Sequence, residues 1–225
     1  MQTIDPNFAS LMDKSIAEIR KNYSLQILSE KKISADPMKQ FKKWWDEAVE
    51  SKIEEVNAMT LATATVAGIP SARIVLLKDF SKDGFVFFTN YNSCKGQQLA
   101  DNPKACLVFF WKELERQVRI TGLVEKISAR QSDEYFSTRP EGSKIGAWAS
   151  SQSEVIESRE WLDEHFKNLE KQMKGTNIQR PPFWGGYMVN PIIIEYWQGR
   201  PNRLHDRIQY SLEDEKIWKI ERLAP

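Results

Sequence analysis

The residues best equipped for chemistry lie in one stretch, Ile194-Glu-Tyr-Trp-Gln-Gly-Arg-Pro-Asn-Arg-Leu-His-Asp-Arg207. It contains a tryptophan, three arginines and one of the two histidines in the chain. Residues 192–198 are β-branched and aromatic, which predicts a strand, and 199–202 gather glycine, proline and asparagine into a turn. If 203–207 is extended, alternation puts Arg203, His205 and Arg207 on one side. Two guanidiniums and an imidazole on one face suit a planar anion such as phosphate or carboxylate. A solvated edge strand that resists aggregation would have the same composition, so the surrounding sequence has to decide.

Two further groups could bind anions. Arg73 and Lys78 sit in one predicted strand at an odd separation, so their side chains leave opposite faces. Such a strand could serve one ligand on each side, or be an exposed edge whose charges flank buried residues 74–77. Tyr135 and Arg139 form an i, i+4 pair on a predicted helix, with Ser143 in the loop that follows. Two hydroxyls and a guanidinium could close around a phosphate, with Lys78 adding a point charge. A surface helix with a tyrosine tucked against the body is the alternative.

Positioning these groups takes a scaffold, and the pattern predicts a mainly β one with peripheral helices (α+β). Strand patterns cover 59–66, 71–77, 85–90, 105–111, 117–121 and 123–127, separated by turn signals such as Ala67-Gly68 and Lys82-Asp83-Gly84. Six closely spaced strands favour a closed or nearly closed barrel. Strand patterns return at 185–189, 192–198, 204–210 and 216–221. Asp36-Pro37 is a helix start, and Phe41, Trp44, Trp45, Ala48 and Val49 follow as one apolar stripe that packs on the core. Ser128 and Gln131 form a capping box for a helix to about residue 138, and Ser158 caps another to about residue 174. His165, in that helix, is read as a surface residue. Residues 1–35 read as a flexible polar arm with a short helical pattern around 16–23, and 36–225 as a single domain.

Composition excludes several classes. A net charge of +1 over 225 residues gives no global field for nucleic acid, so any anion site must be local. Eight tryptophans and eleven phenylalanines suit aromatic slots or a large buried interface. Cys94, Cys106 and two distant histidines lack zinc-ligand spacing, so no metal is expected. The start, Met1-Gln-Thr-Ile-Asp-Pro, lacks a secretory pattern, and the longest apolar run, 105–111, is too short to span a bilayer. A cytoplasmic location without membrane partners is the expectation.

The order E-Y-W-Q-G, four residues, then R-L-H-D-R resembles the signature of the pyridoxamine-phosphate (pyridoxine 5′-phosphate) oxidases. Further blocks follow that family in order: Arg73-Ile-Val-Leu-Leu-Lys78, Phe87-Phe-Thr-Asn90, Glu115-Arg-Gln-Val118, Tyr135-Phe-Ser-Thr-Arg-Pro140, Ile145-Gly-Ala-Trp148, Ser151-Gln-Ser153, Phe183-Trp-Gly-Gly186 and the terminal Glu221-Arg-Leu-Ala-Pro225. The resemblance runs from about residue 36 to the end.

It implies an antiparallel split β-barrel that binds FMN as a homodimer with shared active sites. The implied reaction oxidises pyridoxine or pyridoxamine 5′-phosphate to pyridoxal 5′-phosphate, with O2 reduced to H2O2. By resemblance, Arg73 and Lys95 meet the FMN phosphate, with Phe88 and Thr89 adding contacts. The strand Arg73, Ile74, Val75, Leu76, Leu77 and Lys78 lines the cofactor. Gln117, Gln152, Ser153, Trp197 and Arg207 surround the flavin ring and ribityl chain. Lys78, Tyr135, Arg139 and Ser143 match the substrate-phosphate positions. Arg203, Leu204 and His205 lie over the pyridine ring, with Arg203 and His205 in the catalytic roles. His205 could relay a proton, and Arg203, which stays protonated, orients substrate. Arg20 and Tyr23 match a segment that folds over the substrate in some members. Two positions depart from the pattern: Cys94 stands where an arginine is common, and Phe88 where some relatives carry tyrosine.

Two other readings remain open at the level of sequence. One is another FMN split-barrel oxidoreductase with a different small substrate. The other is a non-catalytic module that holds flavin or pyridoxal phosphate, which aerobic peroxide production would separate from an oxidase.

Overall fold

The computed structural model describes residues 15–18, 21–214 and 217–225. Among these residues nine antiparallel strands form one curled sheet, accompanied by five helices. The strands are β1 (Ala58–Ala64), β2 (Pro70–Leu76), β3 (Asp79–Phe80), β4 (Phe85–Asn90), β5 (Lys104–Trp111), β6 (Arg116–Lys126), β7 (Trp184–Gln198), β8 (Asp206–Leu212) and β9 (Trp218–Leu223). The helices are α1 (Pro37–Glu50), α2 (Cys94–Asp101), α3 (Ala129–Ser137), α4 (Glu141–Ala149) and α5 (Arg159–Met173). The main path runs β2-β1-β5-β6-β7-β4-β3, and β8 bridges β7 to β9.

The long strand β7 organises the curl. Trp184 to Val189 pairs with β4, and Ile193 to Gln198 pairs with β8, while β6 runs along the other edge of both halves. The register of β6 against β7 shifts between Thr121 and Gly122. An extra residue at such a point bends the strand and raises its twist. The patterns at 117–121 and 123–127 are therefore one strand with a bulge, and those at 185–189 and 192–198 are likewise one strand. At the opposite edge Lys78 N–H donates to the Val86 carbonyl, bringing the chain after β2 onto β4.

The core lies inside the curl, under α1. Asp36 caps this helix by accepting from Met38 and Lys39 N–H, and Pro37 occupies its first turn. Phe41 is fully buried and meets Phe80, Phe85 and Phe109 at 4.8–5.4 Å between ring centres. Trp44 and Ala48 complete the buried stripe, whereas Val49 stays exposed. The apolar stripe read from sequence is thus wider than the face the sheet covers. Alternation along β5 sends Leu107, Phe109 and Trp111 inward. Burial of each such side chain contributes roughly 1.5–3 kcal/mol.

Two local expectations change, and one helix was not anticipated. Of the short helix expected around 16–23, the described residues show a 3-10 turn at Ile16–Glu18 and no helix at 21–23; residues 19–20 lie outside the described residues. Ser143 lies in helix α4 rather than in a loop. Helix α2, which carries Lys95, has no apolar periodicity of its own. It is nucleated by Ser93, whose hydroxyl accepts from Gly96 N–H, and its Leu99 packs on the core. Among the described residues, no helix is long and apolar enough to cross a membrane. Cys94 and Cys106 are both free thiols.

Candidate active site

A cavity of about 920 Å³ opens between β2, β4, the start of α2 and the pair α3–α4. Of the four cations that line it, Arg73, Lys95 and Arg139 are at least half-buried and Lys78 is exposed. Arg73 projects from β2 and donates to the Leu61 carbonyl (3.1 Å) and to the hydroxyls of Thr63 (2.6 Å) and Ser71 (2.7 Å). Lys95, only 8% exposed, donates from Nζ to Thr89 Oγ1 (3.2 Å), Ser93 Oγ (3.3 Å) and Gln152 Oε1 (3.2 Å). Burial lowers the pKa of both, and for Lys95 the charge of Arg73 adds to the effect. All these partners are neutral, and among the described residues no carboxylate lines the cavity.

The third cation lies across the cavity. Phe88, Tyr135 and Trp184 form a near-parallel aromatic stack, with Phe88 to Tyr135 at 3.9 Å and Phe88 to Trp184 at 5.4 Å. The Arg139 guanidinium lies 4.6 Å from the Trp184 ring centre and 5.5 Å from that of Phe136. Its Nη1 is buried without a hydrogen-bond partner. Burial lowers the Arg139 pKa, the mark of a charge taken out of water with nothing to neutralise it. Ser143, on the first turn of α4, completes this side.

Arg73 and Lys78 were expected on opposite faces of one strand, yet both line this cavity. Strand β2 ends at Leu76, after which Leu77 N–H donates to the Asn57 carbonyl and Lys78 N–H to the Val86 carbonyl. Alternation stops where the ladder stops, so parity no longer sets the direction of Lys78. Ile74, Val75 and Leu76 also line the cavity, whereas Leu77 is buried in the core. Gln152 and Ser153 join them, with Ser153 in the left-handed region at φ 77.

The remaining candidates form a second group on the other side of the sheet's branch. Gln117, Trp197 and Arg207 are cross-strand neighbours on β6, β7 and β8. The ring of His205 packs 4.6 Å from that of Trp197 and 5.9 Å from that of Tyr23. None of these residues lines the cavity. The extended 203–207 strand expected from sequence is not formed: Pro201–Arg203 is a 3-10 turn and β8 begins only at Asp206. Asn202 (φ 58) and Arg203 (φ 61) are left-handed, so the loop reverses where alternation would have continued. Arg203 and Leu204 are exposed as a result, while Arg207 points at Glu195 and donates to both its oxygens at 2.9 and 3.1 Å. Arg20 lies outside the described residues.

His205 is held in one tautomer. Arg200 N–H donates to its Nδ1 at 3.1 Å, so the ring hydrogen resides on Nε2. Burial, then the charge of Arg203, holds its pKa below the ordinary 6.5.

Sequence reading missed Trp184 as the outer member of the aromatic wall and Asn90, Ser150 and Thr138 as cavity lining. The Phe183-Trp-Gly-Gly186 block was the available signal for Trp184. For α4 the signal was the Ile145-Gly-Ala-Trp148 block, whose Gly146 and Ala147 line the cavity beside Ser143.

Comparison with known proteins agrees with this geometry. Residues 45–172 match the family model described as pyridoxamine 5′-phosphate oxidase. Residues 184–225 match a model described as the pyridoxine 5′-phosphate oxidase C-terminal dimerisation region. A pyridoxine/pyridoxamine 5′-phosphate oxidase of Nostoc punctiforme is 58% identical over 214 residues, 95% of this chain and 100% of that protein. The protein of that name from Polynucleobacter asymbioticus is 56% identical over 94% of this chain and 99% of its own length. Among solved structures, PhzG from Burkholderia lata, crystallised with tetrahydrophenazine-1-carboxylic acid, superposes with TM-score 0.84 at 28% identity over 90% of this chain and all of its own. A Nostoc punctiforme protein described as pyridoxamine 5′-phosphate oxidase-related and FMN binding shares the fold, with TM-score 0.69 at 18% identity over 86% of this chain and 100% of its own. On the sequence matches, which span nearly the full length, the chain is an oxidoreductase of the pyridoxamine 5′-phosphate oxidase family.

Proposed function

We propose that this chain oxidises pyridoxine 5′-phosphate or pyridoxamine 5′-phosphate to pyridoxal 5′-phosphate, with FMN as cofactor and dioxygen as final electron acceptor. The observation that carries this reading is the cavity's charge: Arg73, Lys95 and Arg139 line it with no carboxylate among them. One buried and two half-buried cations with only neutral partners, one with an orphaned Nη1, fit a site that receives phosphates. Their separation into Arg73 with Lys95 and Arg139 with Tyr135 and Ser143 fits two phosphates, one of the flavin and one of the substrate.

In this assignment Arg73 and Lys95 hold the FMN phosphate, and Thr89, Gln152 and Ser153 contact the same cofactor. Bound FMN supplies the two-electron acceptor that dioxygen reoxidises. The substrate loses two electrons and two protons from its CH–OH or CH–NH2 group, and O2 gains both pairs to give H2O2; the amine substrate also takes up water and releases ammonia. Lys78, Tyr135, Arg139 and Ser143 bind the substrate phosphate. Arg203 and His205 orient the pyridine ring, with Leu204 beside it. With Nδ1 occupied by the Arg200 amide, His205 presents Nε2–H as a hydrogen-bond donor to the substrate. Positioning and charge are the protein's contribution, and the redox step belongs to the cofactor.

The second group, with Gln117, Trp197, Arg203, His205 and Arg207, reaches such a substrate from a second subunit. Four of these five lie within the match to a dimerisation region. Ile74 (65% exposed) and Phe110 (53%) offer apolar surface near the cavity's side of the sheet. The working unit is a homodimer with two composite sites.

The test is the absorption spectrum of protein reconstituted with FMN and titrated anaerobically with each vitamer phosphate. Bleaching of the flavin band, with peroxide on readmission of air, is expected. Failure to retain FMN, or a flavin band that neither vitamer bleaches, would overturn the reading.

A further inference from the structure

Glu115 opens the Glu115-Arg-Gln-Val118 block, yet it belongs neither to the cavity nor to the His205 loop. Its carboxylate is almost fully buried, and its backbone is left-handed at φ 54 and ψ 40. A residue with a side chain holds that conformation only where its surroundings impose it. Glu115 Oε2 accepts the backbone N–H groups of Ser24 (2.8 Å) and Leu25 (3.1 Å), and Oε1 lies 3.4 Å from Lys21 Nζ. Its own carbonyl accepts Gly199 N–H (2.7 Å) and Gln198 Nε2 (3.2 Å). One residue therefore grips the N-terminal segment with its carboxylate and the entry to the His205 loop with its backbone.

Tyr23 lies between these grips. Its ring stands edge-on to Trp197 at 5.8 Å and faces His205. Gly199 makes room for it: a Cβ there would stand 2.7 Å from Tyr23 Cγ, 2.8 Å from Tyr23 Cβ and 3.0 Å from Glu115 Cβ. Downstream, Leu28 N–H donates to Asp206 Oδ2 at 3.1 Å, fixing the far end of the segment.

We propose that Glu115 is a positioning residue that latches segment 21–28 across the His205 loop, so that Tyr23 closes one side of the substrate site. The inference rests on the proposed function. Charge-assisted acceptance of two amides by one carboxylate oxygen outlasts neutral alternatives, and burial keeps water from competing for them.

The experiment uses the full chain reconstituted with FMN and pyridoxine 5′-phosphate as substrate. Glu115→Ala should lower kcat/KM about tenfold or more, because two hydrogen bonds to a charged acceptor are lost. FMN affinity should stay at the wild-type value. Glu115→Gln retains an acceptor oxygen and should recover most of the loss. Tyr23→Ala combined with Glu115→Ala should be no worse than Tyr23→Ala alone, since both remove the same closure. Trypsin should cut after Lys21 faster in Glu115→Ala than in the wild type. Additive losses in the double variant, or an unchanged cleavage rate, would overturn the latch. If Glu115→Ala does not fold, Gly199→Ala leaves the carboxylate intact and displaces Tyr23; an unchanged kcat/KM in that variant would equally overturn it. Wild-type protein that turns over neither vitamer would sink the functional reading instead, and the cleavage rates would still judge the latch.

Discussion

The basic residues of this protein fall into two populations that share chemistry but not company. Around the cavity, Arg73, Lys95 and Arg139 have neutral partners or, at Arg139 Nη1, none. Around the arm and the His205 loop, four arginines each have a carboxylate, while Arg203 is exposed. Arg116 meets Glu47 at 2.5 Å, Arg200 meets Asp206 at 3.2 Å, Arg207 meets Glu195 at 2.9 Å and Arg222 meets Glu30 at 2.7 Å. The second population is complete within one chain and fixes the shape of the loop. The first is left with uncompensated charge, which is unfavourable for folding unless an anion arrives. Pairing therefore separates cations compensated within the chain from the cavity cations proposed to bind phosphates.

The largest effect that could break this comparison concerns the division between subunits. Arg73→Ala and Arg203→Ala should each abolish turnover alone, one from each region. If the regions meet across a two-fold axis, mixed dimers should regain about a quarter of wild-type activity, since half the dimers are mixed and each has one intact site. No rescue after proven subunit exchange would rule out a site shared between subunits.

Next in size is a matched pair of deletions. Arg139→Leu should weaken substrate phosphate binding by about 1.5–3 kcal/mol, read as a raised KM, with flavin retained and the melting midpoint held or raised. Glu195→Leu should do the reverse, lowering stability by about 2–3 kcal/mol because it strands Arg207. A melting midpoint that falls equally in both would erase the distinction between the populations.

Lys95→Met probes the same point through pH. Burial, then Arg73, lowers the Lys95 pKa from its ordinary 10.5. The unfolded state thus binds more protons between the lowered value and 10.5, so the lysine's penalty on the FMN-free protein is full below the lowered value and relaxes as pH rises toward 10.5. The FMN-free variant should melt higher than wild type at neutral pH, with the gap closing at alkaline pH, while binding FMN more weakly. An unchanged gap across that range would count against an unpaired ammonium.

The smallest effect belongs to His205, whose pKa lies below 6.5. Protonating Nδ1 breaks its bond with the Arg200 amide, so folded stability contributed there is lost as pH falls from 6.5 through the lowered value. The acid limb of kcat/KM should lie below pH 6.5, and His205→Asn should flatten it. A limb above pH 6.5 would contradict the tautomer assigned here.

Much of this was legible from local rules. The caps at Asp36, Ser128 and Ser158 stand where sequence placed them, because a cap needs only its own next three residues. Most strands were equally readable from alternation. Two details failed for one reason: the faces of Arg73 and Lys78, and the extended 203–207, both assumed that a strand continues. One strand end depends on distant partners, Asn57 and Val86; in the other case left-handed backbone at Asn202 and Arg203 stops the strand before it starts. The grouping of site residues also changed, with Gln152 joining Lys95 and Gln117 joining Trp197.

By itself the sequence determined the mainly β architecture, the family and the identity of the groups proposed to hold phosphates. These rest on periodicity and on residue types in fixed order, which are local properties. Only the tertiary structure decided which cations are paired and which are left open, that Arg139 Nη1 is orphaned, and that Glu115 reaches back 91 positions to Ser24. Charge compensation is a through-space property. It depends on which carboxylates the curled sheet brings within about 4 Å, and no spacing along the chain encodes that distance.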